Sequence, residues 1–332
     1  MTTDRTKTAA IAAIVVVAAV AVLAGLLMSL DRRTGPTEST GHRDDSTNRN
    51  ATGAVDLEER IAHYTSGFGE ESGYRRPTGE DRRAVAQGVG LFLDGRRRQA
   101  EERLSDVDFE IRTITDSITG RQFAEITDRT EEGPAPRGWG RVYVDLATPA
   151  HWSVQVPHPV ADRRTEFLGV NVLRGTSGGV LVIAGAHRRA GRGDEADVAH
   201  RTDSVFDAVC DELTERRLPG IQLHGYADES APDYDVIASA GEGEVSRPEG
   251  RALADALRAR DFDVCRAWVH DCPLEGRSNV QGHKAEREGV PFLHIEFSNT
   301  VRMSGSRAGR AAEAVRTVTA AWSPDPARRP AS

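Results

Sequence analysis

Val180-Leu181-Val182-Ile183-Ala184 is a run of five residues without a polar side chain. So short and so apolar a run reads as a central strand covered on both faces, since a strand with one wet face would alternate. On its C-terminal side, helical and strand patterns follow in turn. Residues 204–216 read as a helix, 220–224 and 235–239 as strands, and 248–260 as a helix that starts on Pro248. Residues 262–265 and 291–296 are two more strands, and 306–322 a final helix.

On its N-terminal side, Arg141-Val142-Tyr143-Val144-Asp145-Leu146 and Trp152-Ser153-Val154-Gln155-Val156 read as a strand pair. Before them, Phe109-Glu110-Ile111-Arg112-Thr113-Ile114 and Arg121-Gln122-Phe123-Ala124-Glu125-Ile126 alternate around a turn at 117–120, the pattern of a hairpin with one wet face. Residues 80–104 are charged with spaced apolar positions and read as helical. Strands alternating with helices predict a single α/β domain, 80–322, with a mixed or mostly parallel sheet that the hairpins extend and helices flank.

What precedes this domain differs in kind. Residues 9–30 contain no charge and consist almost wholly of Ala, Val, Ile and Leu. About 20 such residues span a bilayer core, which predicts a transmembrane anchor after a short tail, 1–8. A cleaved secretory signal is the alternative, served by Ala24, Gly25 and Ser29. Arg5 and Lys7 before the span balance Arg32 and Arg33 after it, so the positive-inside count does not orient the chain. A short tail and one span before a long hydrophilic chain predict a cell-membrane protein with an extracellular globular domain. Residues 31–79, polar at first and Gly-rich later, are expected to form a disordered or weakly ordered tether, and 323–332 a flexible tail.

The 332 residues carry a net charge of -8. An acidic chain with interspersed signs lacks the basic surface of a nucleic-acid binder, so no nucleic-acid partner is expected. Of three cysteines, Cys265 and Cys272 are close enough to close a small loop, and Cys210 sits in an apolar helical pattern as a buried thiol. Gly175-Thr176-Ser177-Gly178-Gly179 lacks the lysine of a phosphate loop, and Ser239 lacks the context of a nucleophile elbow.

Histidines and carboxylates recur where strands end, which is where open α/β sheets collect their functional groups. His158 and Asp162 follow one strand, His187 and Arg188 another, His224 closes a third, and His294 and Glu296 lie on the last. A catalytic zinc ion takes three N/O ligands and leaves a position for water. His158, Asp162 and His224 fit that set, with Glu296 as general base. Glu166 is a rival to Asp162. His187 and Arg188 are candidates for holding a substrate carboxylate. Asp197 and His200 could orient the ligands from behind. His294 shares a strand face with Glu296.

The ordered string Pro157-His158-Pro159-x-x-Asp162-x-x-Thr165, Gly185-Ala186-His187-Arg188, Leu223-His224-Gly225, Asn279-x-Gln281 and His294-Ile295-Glu296-x-Ser298, with Arg302 downstream, resembles the zinc-carboxypeptidase-like hydrolases. The nearest branch is the poly-γ-glutamate hydrolases and, more distantly, the N-formylglutamate amidohydrolases. The resemblance covers about 142–302. It implies one α/β domain around a mixed sheet with a single zinc, held by His158, an acidic residue at Asp162 and His224, with Glu296 catalytic. Arg302 would then clamp a substrate carboxylate, and Asn279 would join the substrate site. Two departures stand out: Pro159 and Val160 replace glycines of the family, and Asp162 stands where Glu is usual. The expected activity is zinc-dependent hydrolysis of an amide or peptide bond in a cell-wall peptide or γ-glutamyl substrate. The alternative is a non-catalytic cell-surface binding module that keeps the fold.

Overall fold

The computed structural model describes residues 54–131, 136–241 and 243–323. The expected anchor, the tail before it and most of the tether lie outside the described residues. Among the described residues, no helix is long and apolar enough to cross a membrane.

Ten strands form one mixed sheet. In chain order they are β1 (Ala54–Val55), β2 (Phe109–Asp116), β3 (Gln122–Asp128), β4 (Arg141–Asp145), β5 (Trp152–Val156), β6 (Gly179–Ile183), β7 (Gly220–Tyr226), β8 (Val236–Ser239), β9 (Val264–Arg266) and β10 (Phe292–Ser298). Across the sheet they run β1-β2-β3-β4-β6-β5-β7-β10-β8-β9. β6, β5, β7 and β10 are parallel to one another; β2 to β4 meander antiparallel onto β6, and β8 runs against β10.

Nine helices among the described residues cover the two faces: α1 (Leu57–Thr65), α2 (Gly79–Leu93), α3 (Arg97–Ser105), α4 (Thr165–Gly175), α5 (Val205–Glu215), α6 (Arg247–Arg258), α7 (Val280–Glu288), α8 (Asn299–Met303) and α9 (Gly305–Trp322). β6 explains its own sequence. Leu181 and Ile183 enter the core that also holds Leu173, Val315 and Val318, while Val180 and Val182 enter the opposite one with Val89, Phe206 and Leu213. Both faces are dry, so no position alternates.

The structure corrects four expectations about elements. The domain begins at Ala54, not at residue 80. β1 pairs with β2, and α1, capped by Asp56, buries Leu57 and Ile61 completely. The stretch 80–104 is two helices, separated by Asp94-Gly95-Arg96. β4 and β5 are not a pair, because β6 lies between them. The hairpin β2–β3 is present, but β3 is buried from Phe123 to Asp128, so apart from Gln122 the exposed and partly exposed positions lie on β2. Cys265 and Cys272 form a disulfide, and Cys210 is a buried free thiol.

β7 and β10 set up the site. Ile221 and Leu223, with Leu293, Ile295 and Phe297, face the core of α4, α6 and α9. The alternate residues Gln222, His224, His294 and Glu296 face the other way and are also buried. Parallel register places His294 beside Gln222 and Glu296 beside His224.

Candidate metal centre

The segment after β5 turns sharply. Asp162 N–H donates to the His158 carbonyl at 2.9 Å, and Val160 between them takes φ 68°. That is left-handed backbone, free for glycine and costly for a β-branched residue. Val160 thus occupies a conformation that a glycine would adopt without strain. The turn brings His158 and Asp162 together, and β7 delivers His224 from beneath. Among the described residues, His158, Asp162 and His224 are the group of buried side chains whose ligand atoms come within 4.8 Å of one another.

The two imidazoles aim the same nitrogen at the same oxygen. His158 Nδ1 is 3.2 Å and His224 Nδ1 is 3.3 Å from Asp162 Oδ2. Donors about 2.0–2.1 Å from a tetrahedral ion lie about 3.3 Å apart, so this spacing fits zinc. Each remaining ring nitrogen is already engaged. His158 Nε2 is 2.8 Å from Asp197 Oδ1, and His224 Nε2 is 2.7 Å from Gln222 Oε1. A ligating histidine ordinarily donates its second N–H to such an oxygen. Asp197 also meets His200 Nδ1 at 3.0 Å and Arg188 Nη2 at 2.5 Å.

Protonation makes the point sharper. Burial, with His294 and His158 nearby, pushes His224 down to about 3, so it is neutral at pH 7. The Gln222 oxygen opposite Nε2 favours the proton there, which would leave a bare Nδ1 lone pair against the Asp162 carboxylate. Two lone pairs in a buried pocket call for a cation between them. Burial also pushes His158 down, but hydrogen bonds to Asp162 and Asp197 outweigh it and raise its pKa. Burial opposes ionisation of Asp162, yet the hydrogen bond to His158 holds it well below the usual carboxylate range.

Glu296 is nine-tenths buried beside His224, and burial pushes its carboxyl up. His294 Nε2 lies 3.5 Å from Glu296 Oε1, and its ring is 4.4 Å from that of His224; neither nitrogen makes a hydrogen bond among the described residues. Gly276, at φ 73°, passes so close over the His294 ring that a Cβ there would lie 2.7 Å from it.

Several expected roles change. Glu166 is buried but is not among the converging ligand atoms, whereas Asp162 is. Arg302 is not a free clamp. It is 3 % exposed, and its guanidinium donates to the carbonyls of Phe297, Asp162, Arg163 and Tyr226. It ties the ligand turn to β7 and β10. Gly225 follows His224 because a Cβ there would come within 2.3 Å of Arg302 Nε. Asn279 caps α7 through Gly282 N–H and donates to Gln222 Oε1, so it too is spoken for. Arg188 reaches Asp197, and His187 Nδ1 accepts the Arg189 N–H at 3.2 Å. Gln222 and Gln155 were missed as site residues. Their signal is an amide at an alternate position of an otherwise apolar strand.

No family model matches the chain, and no curated protein does. Similar solved structures include N-formylglutamate amidohydrolase from Ralstonia eutropha JMP134, 13% identical with a TM-score of 0.36 over 53% of this chain and 94% of that one. A metallo-carboxypeptidase from Burkholderia cenocepacia is 14% identical with a TM-score of 0.37, over 74% of this chain and 69% of its own. The apo form of N-acetylmuramyl-L-alanine amidase from Mycobacterium abscessus is 11% identical with a TM-score of 0.32, over 52% and 99%.

Proposed function

We propose that this chain is a zinc-dependent hydrolase of amide or peptide bonds, anchored by residues 9–30 with its α/β domain outside the cell membrane. The observation that supports it is the convergence of two histidine Nδ1 atoms on one carboxylate oxygen, with both Nε2 atoms already engaged by acceptors. His158, Asp162 and His224 would hold the ion. Bound zinc supplies Lewis acidity, which acidifies water toward a pKa of about 7 and polarises a carbonyl.

The chain's own residues do the proton work. Glu296 takes a proton from the attacking water and returns it to the leaving amine, which needs a carboxyl whose pKa is raised toward the working pH. Burial supplies that shift. Arg188, which reaches Asp197, and His187 would orient the substrate. A cavity of about 500 Å³ opens beside His294, lined among others by Trp268, Arg247 and Arg277. Its size suits an amino-acid or glutamyl side chain, in keeping with a cell-wall peptide or γ-glutamyl polymer.

Metal analysis of the purified full-length protein tests this reading. Near-stoichiometric zinc is expected, and His224→Ala is expected to lose zinc and amide hydrolysis together. A protein that stays metal-free after preparation without chelators, and takes up no added zinc, would instead be a binding module on a hydrolase fold. Carbonate extraction and protease shaving of intact cells test the anchor: a domain that washes off, or is protected until lysis, contradicts the placement.

A further inference from the structure

Behind His224 lies a chain of amides with both ends fixed by backbone. Gln281 Nε2 donates to the Val198 carbonyl at 3.0 Å and to Asp207 Oδ1 at 2.8 Å. A carbonyl only accepts, so this end of Gln281 is its nitrogen and the other end its oxygen. That oxygen accepts from Gln222 Nε2 at 3.1 Å, which turns Gln222 Oε1 toward His224. From the opposite side, Gly282 N–H fixes Asn279 Oδ1 at 2.8 Å, so Asn279 presents its nitrogen to the same Gln222 oxygen. Gln222, Gln281 and Asn279 are each 2 % exposed or less. In a buried network this constrained, a flipped amide leaves donors against donors.

We propose that Asp197 and Val198, adjacent in the chain, set the tautomers of both ligand histidines: Asp197 by direct contact with His158, and Val198 through Gln281 and Gln222 to His224. Gln222 and Gln281 are positioning residues. They never meet the reacting atoms; they keep the His224 proton on Nε2, so that Nδ1 is available as a ligand. A free amide at Gln222 could rotate by half a turn and present N–H to His224, which would force the proton onto Nδ1 and block the metal position. The Asn279-x-Gln281 motif is the device that prevents this. The inference rests on the zinc reading only for its effect on metal affinity.

The test uses full-length protein in detergent, with 15N-labelled histidine and zinc titrated against a chelator. In the metal-free wild type at pH 7, His224, assigned by comparison with His224→Ala, is expected to be protonated on Nε2. Gln222→Leu is expected to weaken zinc binding about 10–100-fold, the usual scale for a lost partner of this kind. Gln281→Leu, which touches no ligand, should weaken it several-fold and give a mixture of His224 tautomers. Protonation of wild-type His224 on Nδ1 overturns the inference. So does zinc affinity in Gln222→Leu within twofold of wild type. If the wild type takes no zinc, the functional reading fails, and the metal-free tautomer still decides this one.

Discussion

Two buried groups of charge lie on the same sheet, one at β3 and β4, the other at β5, β7 and β10. In the first, Glu125 is fully enclosed and receives Arg60 at 2.7 and 2.5 Å, Arg141 at 3.2 Å and the Tyr143 hydroxyl at 3.0 Å. Burial pushes this carboxyl up, but Arg60 and Arg141 overcome it and hold it low. Arg141 continues to Glu131, which accepts from Tyr64. Every charge there meets a partner of opposite sign. In the second group, the Asp162 carboxylate meets, among the described residues, the imidazoles of His158 and His224 and no arginine or lysine side chain within ion-pair distance. Buried charge alone therefore does not mark a site. What marks it is a buried carboxylate that, among the described residues, is met by imidazoles rather than by a fixed positive charge.

Substitutions at each group separate the two kinds. The largest effect is expected at Glu296. Glu296→Gln keeps the shape and, by this reading, the zinc, but lowers kcat on an amide substrate about 10²–10⁴-fold. Turnover near wild type would remove Glu296 from the proton-transfer role. Glu125→Ala should do the reverse. It strands Arg60 and Arg141 around an enclosed cavity and costs about 3–5 kcal/mol in denaturant unfolding, while the folded fraction binds zinc as before. A loss of zinc in that variant would mean that the two groups are coupled.

A third, smaller effect is expected on the site's face at Asp207, whose partner is the neutral Gln281. Burial, aided by Asp211, pushes its carboxyl up to about 7. The folded protein therefore holds this proton where the unfolded chain, with a pKa near 4, has released it. Stability is greatest below about pH 4 and falls as pH rises to about 7. Asp207→Asn removes that slope. Above pH 7 it should unfold on the order of 2–4 kcal/mol later than wild type, and below pH 4 the two should coincide. A parallel pair of stability profiles would show that Asp207 is ionised and compensated like Glu125. The smallest effect belongs to Val160→Gly, which releases the left-handed strain between the ligands. It should gain about 1 kcal/mol in thermal unfolding; a loss would mean that the valine side chain packs for more than its backbone costs.

Legibility from sequence followed the same division. β6 was plain because both of its faces are apolar. β7 and β10 were readable as strands, but their alternation imitates a wet face, and only the structure shows the polar side to be enclosed. Strand identity did not give strand neighbours. The six residues between β4 and β5 suggested a hairpin, whereas β5 pairs with β6 through the crossover α4. α1 was missed although Leu57, Ile61 and Tyr64 carry a helical period, because Arg60 looks like surface and in fact turns inward to Glu125. The grouping of His158, Asp162 and His224, whose ligand atoms the structure brings together, was legible because metal chemistry restricts residue type. Arg302 and Asn279 were misread for a complementary reason: sequence reveals which donors a residue has, not whether they are already used.

Arg302 has a consequence for when the site comes into being. Its guanidinium joins the carbonyls of the ligand turn to those of Tyr226 and Phe297, and lysine, with one compact head group, could not span them. Small zinc domains fold only as the ion arrives. Here the chain itself braces the turn, so on the proposed zinc reading folding and loading would be separate events. Such a protein would complete its fold where zinc is scarce and collect the ion later by diffusion, and a chelator should empty it while leaving one cooperative melting transition in place.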